Sequence, residues 1–422
     1  SRLNKIIMKN ILFLLSIGAL SLALFTHCSK ETEKLNQVPI SQQDEVQAQL
    51  IEDHFIVGLV PSFAQGLLQE GMDYELADQL MKAEILATLS AAGLADVEVG
   101  LVFHEALLGF SAKLENQELL ILESLPIIDF IEQDQIFDLV GKKDPKTSTG
   151  NQLKAQQTPW GINATGRANG SGKRVFVIDT GADLDHPDLN VNQDLSTSYV
   201  GGNGGGLLGF LFGGSGDTGS PEDGHGHGTH VAGTIAAKDN SVGVIGVAYG
   251  AEVVAIKVLD DNGSGATSGV IKGVDYVAAN GVPGNVANMS LGGGTSSALD
   301  QAVQNAAAQG ILFALAAGNE SQHANTSSPG RANGSNIYTV SAFDSNGKLA
   351  SFSNYGNPPV DFAAPGVGTY STYKNGGYAT MSGTSMAAPH VAGILLIRGG
   401  APASFGVISG DKDSSPDPKA HI

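Results

Sequence analysis

The chain has 422 residues, more than one average domain holds, and 42% of them are hydrophobic, so a large core is affordable and wholesale disorder is not expected. With 56 glycines and only 15% charged residues, a turn-rich α/β fold is favoured over a helical bundle. A net charge of −19 argues against a nucleic-acid partner, which needs clustered Lys and Arg, and is compatible with bound calcium, a hard cation that takes oxygen ligands.

In chain order, Ile11 to Phe25 form an uncharged apolar run behind Lys9, the length of a signal-peptide core and short for a membrane span. Met8 would start such a segment cleanly. The single cysteine, Cys28, follows the run and resembles a bacterial lipoprotein processing site, although His27 stands where a small residue is usual. Residues 1–28 are therefore expected to act as a signal. The mature protein is extracytoplasmic on this reading, either lipid-anchored at Cys28 or released by cleavage nearby. Residues 29–50 are polar and read as a spacer.

Residues 51–140 carry a β-α-β-β-α-β pattern, the order of a small ferredoxin-like domain. The strands are expected over 54–60, 97–103, 107–114 and 127–139, and the helices over 74–93 and 115–125. The polar segment 141–154 reads as a linker suited to cleavage. From Arg174 onward, apolar strands (VFVI, VVAIKVL, VANMSL, ILFALAA, IYTVSAF) alternate with helical stretches at Ser268–Asn280 and Ala298–Gln309. This implies a doubly wound, mostly parallel sheet, with ligands gathering at the carboxyl ends of its strands.

Four motifs fall at those ends. Asp179-Thr180-Gly181 follows VFVI, where a carboxylate can be held nearly buried to orient an imidazole. A second Asp-Thr-Gly at Asp217 leaves an aspartic-peptidase reading open, but no strand feeds that copy. HGHGTHVAGT (225–234) offers His227 as a general base and His230 as a structural histidine; zinc held by the three histidines is the alternative. Asn319, in AAGNE, follows a strand and can present an amide to a developing oxyanion, or it can be an ordinary turn residue. GTSMAAPHVAG (383–393) sets Ser385 at a helix N-terminus among small residues that admit a peptide backbone.

These motifs, in the order Asp, His, Asn, Ser, resemble those of the subtilases, the subtilisin and proteinase K clan. The string GFSAKL (109–114) and the run IIDFIEQDQIF resemble the inhibitory propeptides of the same family. The resemblance covers about residues 155–400, the expected catalytic domain, and extends back to about residue 51. It implies a serine endopeptidase with Asp179, His227 and Ser385 as triad and Asn319 in the oxyanion hole. It also implies a zymogen held inactive by its own propeptide as intramolecular inhibitor, and a mature, monomeric enzyme acting on protein or peptide substrates. The substrate backbone is expected between Gly263-Ser264-Gly265 and Ser290-Leu291-Gly292-Gly293, with Ala316, Ala317 and Gly318 walling an apolar pocket.

The resemblance further implies a structural Ca2+ at Gln156, Asp188 and Asn240, with a second site at Asp361; no organic cofactor is expected. Maturation is placed near Lys154–Ala155. The chain departs from the compact family pattern in the glycine-rich insertion Gly201–Gly219, read as a surface loop. It departs again after Ser385, where residues 401–422 read as a solvated acidic tail whose Asp411, Asp413 and Asp417 are the alternative calcium ligands. A catalytically silent pseudoprotease or inhibitor-type binding protein is the rival function.

Overall fold

The computed structural model describes residues 49–69, 71–139, 146–147, 155–200 and 219–422. The expected signal segment with Cys28, nearly all of the 29–50 spacer, most of the 141–154 linker and residues 201–218 lie outside them.

The N-terminal unit has β1 (Gln49–Leu59), α1 (Tyr74–Ala91), β2 (Glu98–Phe103), β3 (Gly109–Lys113), α2 (Asn116–Glu123) and β4 (Ile128–Asp138). Its strands lie in the order β4-β1-β3-β2 and pair antiparallel, the ferredoxin-like arrangement. Asp73 starts α1 by accepting the Leu76 N–H at 3.1 Å, and Glu115 with Glu118 forms a reciprocal cap on α2. Ala77, Met81, Ile85 and Leu89 recur at helical spacing along α1 and are buried; the last three share a core with Val57, Phe110 and Leu114.

The larger part begins with β5 (Arg174–Asp179), α3 (His227–Ala236), β6 (Glu252–Lys257), β7 (Ser264–Ala266) and α4 (Thr267–Asn280). It continues through β8 (Val286–Met289), α5 (Ser297–Ala308), β9 (Leu312–Ala316), β10 (Ile337–Phe343), β11 (Val360–Pro365) and α6 (Thr384–Arg398). β12 (Ala403–Val407) and β13 (Pro418–His421) complete it. The main sheet runs β12-β13-β11-β10-β9-β8-β5-β6 and then Asn190–Val191. Its neighbours are parallel except β12 and β13. Along β5, Phe176 and Ile178 enter the core shared with α4 and α5, while Val175 and Val177 enter the core shared with α3 and α6. Both faces are thus covered, which is why these strands read as continuous apolar runs. β5 lies between β6 and β8, so the winding reverses there, and the crevice of such a sheet opens at that strand's carboxyl end.

β7 does not join this sheet. It adds to the N-terminal one beside β4, with Ser264 opposite Asp138 and Gly265 opposite Phe137, so one five-stranded sheet draws on both units. Two carboxylates from β4 then serve helices of the larger part. Glu132 accepts the Ser297 and Ala298 N–H groups at 2.9 and 3.1 Å at the start of α5. Asp134 accepts the Ser268 hydroxyl at 2.5 Å and its N–H at 3.2 Å in the first turn of α4. Each places negative charge at a helix N-terminus, where unpaired N–H groups and the dipole favour it. In return, buried Asp275 on α4 accepts the N–H groups of Glu105 and Ala106 at 2.8 Å and the Tyr74 hydroxyl at 2.9 Å.

The reading of residues 401–422 as a solvated tail is corrected. β13 pairs parallel with β11, β12 pairs antiparallel with β13, and Asp417 is fully buried with its carboxylate accepting the Ser341 hydroxyl at 2.5 Å. The polar composition hid a hairpin that needs only Ala420 and Ile408 in the core, because its pairing is supplied by the edge of an existing sheet.

Candidate active site

Asp179 ends β5 at the reversal point and is fully buried. Its Oδ1 accepts the Thr180 N–H at 2.7 Å and lies 2.8 Å from His227 Nδ1. His227 is the first residue of α3, and that helix reaches β5 because position 228 is glycine: a Cβ there would stand 2.1 Å from the Gly181 carbonyl oxygen. Burial opposes a charge on His227, but the Asp179 carboxylate and its hydrogen bond, with Asp223 behind them, outweigh it and raise the pKa above the usual histidine value.

Ser385 lies in the first turn of α6, which packs beside α3. Its hydroxyl donates to the Ser290 carbonyl at 3.0 Å, and among the described residues no hydrogen bond joins it to His227. The Ser290 hydroxyl donates to the Ser385 carbonyl at 2.9 Å, tying the end of β8 to the same turn. Asn319 sits on the same rim. Its Oδ1 accepts the Thr384 N–H at 2.8 Å, which fixes which end of the amide donates.

Two residues that spacing did not single out brace this rim. Asp223 Oδ1 accepts the Thr180 hydroxyl at 2.9 Å and the Gly226 N–H at 2.7 Å, while its Oδ2 accepts the Thr229 N–H at 2.9 Å. It thereby joins β5 to the start of α3; the available signal was an acidic residue just ahead of a helix, a capping pattern. Asn354, fully buried, donates to Ala317 O at 3.0 Å and Glu320 Oε2 at 2.7 Å and accepts the Glu320 N–H at 3.1 Å, holding the turn that carries Asn319.

The two expected substrate edges are brought together, and the end of β4 lies between them. Leu139 N–H donates to Gly263 O at 2.8 Å, Ser264 and Gly265 pair with Asp138 and Phe137, and Asp138 bridges Gly292. The Ser264 hydroxyl also donates to the Asp138 carboxylate. Phe137 lies over Gly293, where a Cβ would come within 2.8 Å of the ring, and Leu291 is buried in the same core. Ala316 and Ala317 are buried in different apolar clusters, and Gly318 takes φ +106° with its N–H donated to the Thr384 hydroxyl at 3.1 Å.

Gln156, Asp188 and Asn240 also converge. Asn240 Nδ2 donates to Asp188 Oδ1 at 2.7 Å, Val244 N–H donates to Asp188 Oδ2 at 2.9 Å, and Gln156 Nε2 donates to Lys238 O at 2.9 Å. Asp361 stands apart from them on β11, accepting the Thr339 N–H at 2.9 Å, with burial raising its pKa to about 6. The zinc alternative is corrected. His230 Nε2 lies 3.1 Å from Thr369 O and 3.2 Å from Ala379 O, burial lowers its pKa to about 3, and among the described residues the three histidines form no metal-binding group. His230 is a neutral, structural donor.

Comparison with known proteins agrees with this geometry. The profile of the Subtilase family matches residues 170–398. "M-protease" of Shouchella clausii is 39% identical over 332 residues, covering 76% of this chain and 77% of that protein. "Subtilisin Savinase" of Lederbergia lenta is 45% identical over 251 residues, 58% of this chain and 84% of that protein. "Alkaline serine exoprotease A" of Vibrio alginolyticus is 41% identical over 316 residues, 72% of this chain but only 54% of that protein. The chain belongs to the subtilase family, the serine endopeptidases of the subtilisin type.

Proposed function

We propose that the chain is an exported serine endopeptidase, made as a precursor whose residues 51–140 inhibit it, with Asp179, His227 and Ser385 as catalytic triad. The supporting observation is β4, which pairs with Ser264–Ala266, bridges Gly292 and is followed by Leu139 bonded to Gly263, on the rim where His227 meets Asp179. In the reaction, the Ser385 hydroxyl leaves the Ser290 carbonyl and gives its proton to His227 Nε2 as it attacks the substrate carbonyl. Asp179 holds the Nδ1–H tautomer and stabilises the imidazolium. The Asn319 amide and the Ser385 N–H receive the oxyanion, His227 returns the proton to the leaving amine, and water then releases the acyl-enzyme.

On this proposal residues 1–28 direct export, with Cys28 as lipid attachment point or with release nearby, and the linker 141–154 is cut. The mature enzyme is a monomer acting on peptide substrates. Gln156, Asp188 and Asn240 would hold a structural Ca2+. The fit rests on the oxygens already converging there, namely the Asp188 carboxylate and the Lys238 and Val244 carbonyls, which now take amide N–H groups that a cation would replace.

An active-site serine reagent should label the processed protein at Ser385 and nowhere else; an unlabelled, well-folded processed protein would sink the hydrolase mechanism and leave the pseudoprotease. Asn319→Ala should lower kcat by about 10²–10³, the size known for this loss in subtilisin itself, with a lower melting temperature because the Thr384 N–H loses its acceptor.

A further inference from the structure

We propose that Asp411, Asp413 and Asp417 form a divalent-cation site, suited to Ca2+, that locks the β12–β13 hairpin to the edge of the main sheet. One carboxylate oxygen from each of the three lies within 4.8 Å of the others. Asp417 is fully buried, and its Oδ1 accepts no hydrogen bond; the same holds for the buried Oδ2 of Asp413. Unpartnered buried carboxylate oxygens are costly, and like charges this close repel, unless a cation meets them.

The remaining oxygens are committed to holding the loop. Asp411 accepts the Lys412 and Asp417 N–H groups at 2.7 and 2.9 Å, Asp413 Oδ1 accepts the Ser415 N–H at 2.7 Å, and Asp417 Oδ2 accepts the Ser341 hydroxyl. Among the described residues no Lys, Arg or His forms an ion pair with any of the three. The lysines of the same segment are engaged elsewhere: Lys412 donates to the Ser321 hydroxyl and lies 5.0 Å from the Tyr355 ring, and Lys419 lies over Phe405. Oxygen donors alone, with two carboxylates free to bind, suit a hard cation that accepts irregular geometry, which is Ca2+ rather than a transition metal. The alternate spacing of 411, 413, 415 and 417 is also how a short loop turns successive oxygens onto one ion.

This site is independent of the one proposed at Asp188. Both can be counted in the full chain carrying Ser385→Ala, stripped with chelator and dialysed against Ca2+. Asp413→Asn should bind one Ca2+ fewer per chain and lose part of the Ca2+-induced rise in melting temperature. Asp188→Asn should remove a different equivalent, and the double variant both. An unchanged stoichiometry in Asp413→Asn, or a parent whose only bound Ca2+ disappears with Asp188→Asn, overturns the site. A second measurement needs no loop variant: Ca2+ should slow amide hydrogen exchange across 403–421 in the parent, and exchange there unaffected by Ca2+ would equally refute it.

Discussion

Asp223 and Asn354 take no part in the proposed bond-making, yet the positions of His227 and Asn319 depend on them. Asp223→Ala would leave the Thr180 hydroxyl and the Gly226 and Thr229 N–H groups without their acceptor. Each buried group so stranded costs roughly 1–3 kcal/mol. The expected outcome is a lower melting temperature together with a fall in kcat larger than any change in KM. The raised pKa of His227 has its own consequence: the general base must be neutral, so kcat/KM should rise with pH through a value above 6.5. A profile rising at or below that value would show that Asp179 does not hold the imidazolium. At this scale the motifs were readable because fixed strings carry them. Asn354 was not, because its hydrogen bonds join segments far apart in the chain, and of Asp223 only the local cap on α3 was readable, not its bond to Thr180.

The elements of the interface titrate as well. The buried His104 imidazole, on the loop after β2, lies 3.0 Å from Asp78 and 3.4 Å from Glu105. Burial opposes its charge, but the carboxylates of Asp78 and then Glu105 beside the ring prevail and raise its pKa from 6.5 to about 9. A raised histidine pKa stabilises the folded form fully below pH 6.5, and that contribution is lost as pH climbs through about 9. The melting temperature of the full Ser385→Ala chain should therefore fall over that interval, and His104→Gln should flatten the fall. Equal slopes in the two chains would remove His104 from the balance. The β-α-β-β-α-β order and the parallel strands were legible from periodicity to within a few residues. β7 was legible only as an edge: a three-residue strand has no period, and its partner is set by β4 arriving from another unit.

For the whole molecule, no periodicity marks the last residues as part of the main sheet, because one buried side chain in β13, Ala420, makes no alternating pattern. A chain ended at Gly400 would expose the β11 edge and leave the Ser341 hydroxyl without Asp417. It should melt lower and self-associate through the bare strand; a shortened chain as stable and monodisperse as the parent would make the hairpin an appendage.

The glycines facing Phe137 and Asp138 carry a final consequence. Gly263, Gly265, Gly292 and Gly293 line the two backbone rims that clasp the end of β4, so on the proposed removal of residues 51–140 they would present mainly amide and carbonyl groups. A guest chain would be gripped by features common to every polypeptide, whatever its side chains. On the proposed function, a grip of this kind would be choosy about shape, demanding an extended and locally unfolded stretch, and tolerant about spelling.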